Sequence, residues 1–183
     1  RDAAGAYGKA VAVRPEDAPA WFRRGTALAG AGDDEEAAAA FGRSLEIDGR
    51  QAPAWAGKGR SLLRLGRGEE AVASFSRALD LDPALGRARQ GRGEVLHALG
   101  RDGESVRDLE EVLRREPGNA SAWQDLSRAL RGLGKFPEAR DAIGKALELD
   151  GRNVPAWAEQ GFLEEALGRH EEAAGSYRTA LSL

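Results

Sequence analysis

Two histidines, four tryptophans and a series of arginines are the side chains of this 183-residue sequence with the most obvious chemical use. His97 and His170 are far apart and fall in no HxxxH or HExxH pattern, the spacing that turns two imidazoles toward one metal from a single helix face. Cysteine is absent, which excludes thiolate metal sites, disulfides and cysteine nucleophiles. Gly57-Lys58-Gly59 and Gly91-Arg92-Gly93 look like fragments of phosphate-cradling loops. Such loops need a strand before them and a helix after, and both triplets lie inside helical patterns. Glu110-Glu111 and Glu164-Glu165 read as solvated helix faces rather than acid–base pairs. No set of convergent polar groups emerges, so the chain reads as non-catalytic, with no metal and no cofactor.

The charge balance points the same way. Lys and Arg number 27 against 30 Asp and Glu, a net charge of −3 that does not suit a protein coating nucleic acid. No apolar run approaches the roughly 20 residues that span a bilayer. Methionine is missing even at position 1, so the chain reads as processed or as part of something longer, with a leader or anchor left open. A cytoplasmic location is the default expectation.

The elements that carry these residues follow from a repeat. Trp21, Trp55, Trp123 and Trp157 are separated by 34, 68 and 34 residues, with Arg89 at the position between. Rows of 34 starting at residues 18, 52, 86, 120 and 154 align further columns. Column 3 is alanine from Ala20 to Ala156, and column 15 is Gly32, Gly66, Gly100, Gly134 and Gly168. Column 19 is glutamate and column 28 is leucine throughout. Fixed columns at this period are the mark of a repeat architecture.

Each row predicts two helices. Trp55, Gly59, Leu62 and Leu65 share one face at a period of 3.6 residues, and Gly66 supplies the positive φ that ends a helix. Glu69 and Glu70 suit the first turn of the next helix. Ala71, Phe75, Ala78 and Leu79 form its apolar face, and Asp82-Pro83 stops it. The locked column makes the tryptophans core residues rather than a ligand cage. Hairpins this short gain too little burial alone, so they must stack.

The pattern resembles the tetratricopeptide repeat. The second row carries it throughout, with Trp55, Gly59, Leu62, Ala71, Phe75, Ala78 and Pro83. Elsewhere Arg89 replaces tryptophan, cations or Gln160 mostly replace the leucine of column 7, Gly49 and Gly151 replace proline, and Glu164 stands in the apolar column 11. The resemblance implies an all-α, right-handed superhelical solenoid of antiparallel helix pairs, about eleven helices in one domain over residues 1–183. Residues 1–17 would be the second helix of a truncated repeat, followed by repeats 18–51, 52–85, 86–119, 120–153 and 154–183.

The resemblance also implies a concave side lined by the first helices, where extended peptides bind. Columns 2, 5, 6, 9, 12 and 13 would face it. They hold Arg23, Arg60, Arg64, Arg87, Arg128 and Arg131, against Glu94 and Asp125 in the first four rows; the fifth reverses sign with Glu159 and Glu165. Phe22 and Leu63, with Phe162, add apolar contacts, and Gln90, Gln124 and His97 add hydrogen-bonding groups. An acidic, extended protein segment fits this set, because the guanidinium fork grips carboxylates in pairs. The family's clamp for chaperone tails is unmatched except at Arg87. The only asparagines, Asn119 and Asn153, fall in loops and form no ladder. The alternative is a homo-oligomer stacked through its terminal helices, where Tyr7 and Val11 at one end and Tyr177, Ala180 and Leu181 at the other lack a neighbour.

Overall fold

A computed structural model describes residues 2–183; residue 1 of the segment assigned to 1–17 lies outside the described residues. The described residues form eleven α-helices and no strand: α1 (Asp2–Val13), α2 (Ala18–Ala31), α3 (Asp34–Ile47), α4 (Ala52–Arg64), α5 (Gly68–Leu81), α6 (Gly86–Ala98), α7 (Asp102–Arg115), α8 (Ala120–Gly132), α9 (Phe136–Leu149), α10 (Val154–Ala166) and α11 (His170–Ser182). The chain falls into two compact units, residues 1–95 and 96–183, with the boundary inside α6.

Both turns of the repeat are built by column residues. All five column-15 glycines have φ between 72° and 84°, the left-handed conformation in which a side chain would be strained. Each lets the following N–H reach back to a carbonyl of the ending helix, as from Arg67 to Leu62 at 2.9 Å and from Lys135 to Leu130 at 2.9 Å. In three rows the second turn opens on an aspartate. Asp48, Asp82 and Asp150 accept the N–H two residues on, at 3.0, 2.9 and 3.2 Å. Asp17, Asn119 and Asn153 then cap the next first helix by accepting from Ala20, Ala122 and Ala156. The loop asparagines are therefore helix caps.

The tryptophans are half-buried rather than core. Each packs its ring beside the core and donates its indole N–H, at 2.9 Å, to the carbonyl six residues earlier: Pro15, Gly49, Pro117 and Gly151. Arg89 does the same with its guanidinium, reaching Pro83 O at 2.8 Å. Column 4 thus selects for a long side chain with a terminal donor that ties down the preceding loop. Column 7 explains itself in the same place. Arg24 lies over the Trp21 ring at 5.3 Å and Lys58 over Trp55 at 5.6 Å, while Arg92, in the row without tryptophan, donates to the Ser76 hydroxyl at 3.1 Å.

In the first unit the hairpins α2–α3 and α4–α5 stack with α1 and with each other. Their cores centre on two fully buried rings, Phe41 and Phe75. Each ring is held between two glycine backbones. A Cβ on Gly25 or Gly57 would come within 2.9 or 2.6 Å of Phe41, and one on Gly59 or Gly91 within 2.9 or 2.6 Å of Phe75. The Gly57-Lys58-Gly59 triplet is thus a packing device that receives a ring on each side. In the second unit α8–α9 and α10–α11 are the corresponding hairpins, around Leu109, Ile143 and Leu163.

Glu164 corrects the sequence reading. It is not solvated but 2% exposed, in the apolar column 11. Ser176 donates to its Oε2 at 2.7 Å and Gln160 to its Oε1 at 3.0 Å, while Arg140 Nε stands 3.8 Å away. Its neighbour Glu165 is exposed and accepts from the Tyr177 hydroxyl at 3.2 Å.

Candidate functional site

The first unit carries a hollow of about 430 Å³. Phe22, Thr26, Ala29 and Gly30 line it from α2. Pro53, Ala56, Gly57, Arg60 and Arg64 line it from α4, and Leu85 and Arg87 close the far end. The rings of Phe41 and Phe75 form part of its floor, with Phe22 tilted against Phe41 at 5.8 Å. Four residues expected from the sequence, Phe22, Arg60, Arg64 and Arg87, are brought together here.

The three arginines are not equivalent. Arg64 is already gripped by Asp34 at the start of α3, with contacts of 2.9, 2.9 and 2.6 Å. Arg60 reaches only a backbone carbonyl, that of Arg87, at 3.5 Å. Among the described residues neither Arg60 nor Arg87 has a carboxylate partner. Two guanidinium groups therefore stand at an apolar hollow with their forks available.

The other sequence-assigned residues lie elsewhere. Arg23 is exposed and outside the lining. Leu63 packs against the core instead of presenting an apolar surface, and Gln90 is half-buried and outside the lining. In the second unit the basic character expected of the first helices is cancelled. Arg128 pairs with Asp125 at 3.5 Å. Arg131 lies 2.7 Å from Glu159, without hydrogen-bond alignment, and over the Phe162 ring at 5.2 Å. Gln124 is 9% exposed and accepts from Asn153 at 3.3 Å, so it is a structural group. His97 is tied to Asp102 at 2.5 Å, and Asp102 in turn leans on the bare backbone of Gly132. No group of three or more potential metal ligands occurs among the described residues, and no helix there is long and apolar enough to cross a membrane.

A family model described as tetratricopeptide repeat matches residues 1–53, 56–120, 103–142 and 124–183, nearly the whole chain. The chain belongs to the tetratricopeptide repeat family. Solved structures of tetratricopeptide fold agree over almost its full length. MamA (41-end) from Desulfovibrio magneticus RS-1 has a TM-score of 0.85 at 23% identity, covering 91% of this chain and 94% of that one. YrrB, described as a TPR protein with an unusual peptide-binding site, has a TM-score of 0.80 at 23% identity, covering 98% and 93%. A MamA from AMB-1 has a TM-score of 0.76 at 24% identity, covering 89% and 96%. A search of curated proteins finds no match.

Within this tetratricopeptide framework, sequence reasoning missed what distinguishes the rows at column 6. Gly57 and Gly91 stand there in the second and third rows, Asp125 and Glu159 in the fourth and fifth. At the glycines the buried Phe41 and Phe75 rings pack on bare backbone; the acids meet arginines instead. Phenylalanine at column 24 together with glycine at column 6 of the next row was the available signal.

Proposed function

We propose that this chain is a non-catalytic protein-interaction scaffold that binds an extended, acidic segment of a partner protein in the groove of its first unit. The observation that carries this reading is the pair Arg60 and Arg87, without carboxylate partners beside an apolar hollow. Membership of the tetratricopeptide family supports it, as does the description of a structural neighbour as peptide-binding. The site is smaller than the sequence suggested, because Arg128 and Arg131 already have acids of their own.

The test is fluorescence anisotropy with two pooled sets of labelled twelve-residue peptides, one rich in Asp and Glu and one rich in Lys and Arg. The acidic pool binds, and more weakly as salt rises. Arg60→Glu with Arg87→Glu weakens it at least about tenfold, since like charges now face each other. Arg43→Glu, on α3 beside Glu46, leaves it unchanged. Equal binding of both pools, or indifference to the double reversal, removes the proposal.

The alternative, association through terminal helices, draws on the 88% exposure of Leu181, whereas Val11 at the other end is buried at 4%. Sedimentation across a concentration series separates the two: a single monomeric species at high concentration counts against self-association.

A further inference from the structure

We propose that the hollow between α2 and α4 is an anchor for one bulky apolar side chain of the guest, and that Arg60 and Arg87 take a carboxylate two residues from that anchor. This rests on the groove reading and narrows it from an acidic segment to an acidic segment with an apolar anchor.

Column 6 decides the matter. Gly57 and Gly91 at that column sit against the second helix of the preceding repeat, at Phe41 and Phe75. In the second unit the column is acidic, and Asp125 and Glu159 lie within 3.5 and 2.7 Å of Arg128 and Arg131. In the second row it is Gly57, which brings no charge to the hollow and packs its bare backbone on the buried Phe41 ring. The walls beside it are Phe22, Ala56, Pro53 and Leu85, all without charge. A carboxylate placed in that hollow would lose its water and gain no partner, whereas an apolar side chain would leave water for a matching surface. The volume, about 430 Å³, is that of a site for a small ligand or a large side chain with its flanking backbone.

Charge then fixes the neighbouring residue. Arg64 is held by Asp34, so the cations left for a guest are Arg60 on α4 and Arg87 at the start of α6. The bond from Arg60 to the Arg87 carbonyl keeps the first guanidinium close to the base of the second. In an extended guest, side chains two residues apart point the same way. An apolar residue seated in the hollow among Phe22, Pro53, Ala56 and Leu85 therefore brings a carboxylate two positions along toward the same wall.

Three labelled ten-residue peptides test this. The parent carries four aspartates and one phenylalanine two positions from an aspartate; the second has serine for phenylalanine, and the third has asparagine for every aspartate. Binding is read by anisotropy. The parent binds the wild type about tenfold more tightly than either relative, the scale expected for one buried aromatic side chain or one gripped carboxylate. Gly30→Phe fills the hollow from its edge, where an added Cβ meets no atom within 4 Å. That variant, with unchanged helical circular dichroism, binds the parent only as well as the serine peptide and leaves the serine peptide unaffected. Equal affinity for the phenylalanine and serine peptides, with the asparagine peptide weak, overturns the anchor and leaves the acidic groove standing. If the asparagine peptide matches the parent, or none binds, both readings fall.

Discussion

Glu164 sits where every other repeat has leucine, and its carboxylate is kept there by Ser176 and Gln160. Removing it leaves the buried Ser176 hydroxyl and the half-buried Gln160 amide without their acceptor, and a gap behind. Glu164→Ala is expected to lower stability in urea denaturation by about 2–3 kcal/mol. Glu164→Gln keeps an acceptor for the Ser176 hydroxyl and is expected to cost about 1 kcal/mol. Tyr177 offers a pH signature on the same hairpin. Burial, then the bond to Glu165, raises its hydroxyl above the ordinary value of 10.0. The folded chain holds that proton more tightly than the unfolded one, so its contribution is complete below about pH 10 and is lost as pH rises through the higher folded value. Thermal melts from about pH 8 to about pH 11 are expected to show this decline, and Tyr177→Phe to remove its share. At column 4 the requirement is a donor, not an indole. Arg89→Ala loses the bond to Pro83 and is expected to cost about 1 kcal/mol by denaturation, while Arg89→Trp keeps it and costs little.

At the scale of helices, glycines with opposite reasons stand side by side. Gly57 receives the Phe41 ring, and a methyl there would come within 2.6 Å of Cζ. Gly57→Ala is expected to destabilise by about 1–3 kcal/mol, and Phe41→Leu in the same chain to recover part of that loss. Gly42, inside α3, would meet nothing within 4 Å. Gly42→Ala is expected to stabilise by about 0.5–1 kcal/mol, with both effects read from denaturation midpoints. The helices themselves were legible from the sequence because local chemistry sets them. The column-15 glycine, the Asp-Pro stop and the 3.6-residue face each act within a few residues. Ion pairing was not legible, because Asp34 meets Arg64 from 30 residues away and Arg131 meets Glu159 from 28. Counting charges on one helix face treats such residues as free when a neighbouring hairpin has already neutralised them. Glu164 escaped for the same reason, with partners coming from α9 and α11 as well as from its own helix.

At the scale of the whole chain, the tetratricopeptide pattern sets the helix pairs of both units, and departures from it distinguish their surfaces. Gly57 at column 6 lines an apolar hollow where the fourth and fifth rows carry acids, and Arg60 and Arg87 stand there without carboxylates. The most direct test is an amide ¹H–¹⁵N chemical-shift titration of the chain with a labelled-free acidic peptide carrying one phenylalanine. Shifts are expected to concentrate at residues 22–30, 53–64 and 85–87, the segments that line the hollow, with α8 to α11 little changed. Shifts spread evenly over both units, or centred on residues 120–183, would contradict it.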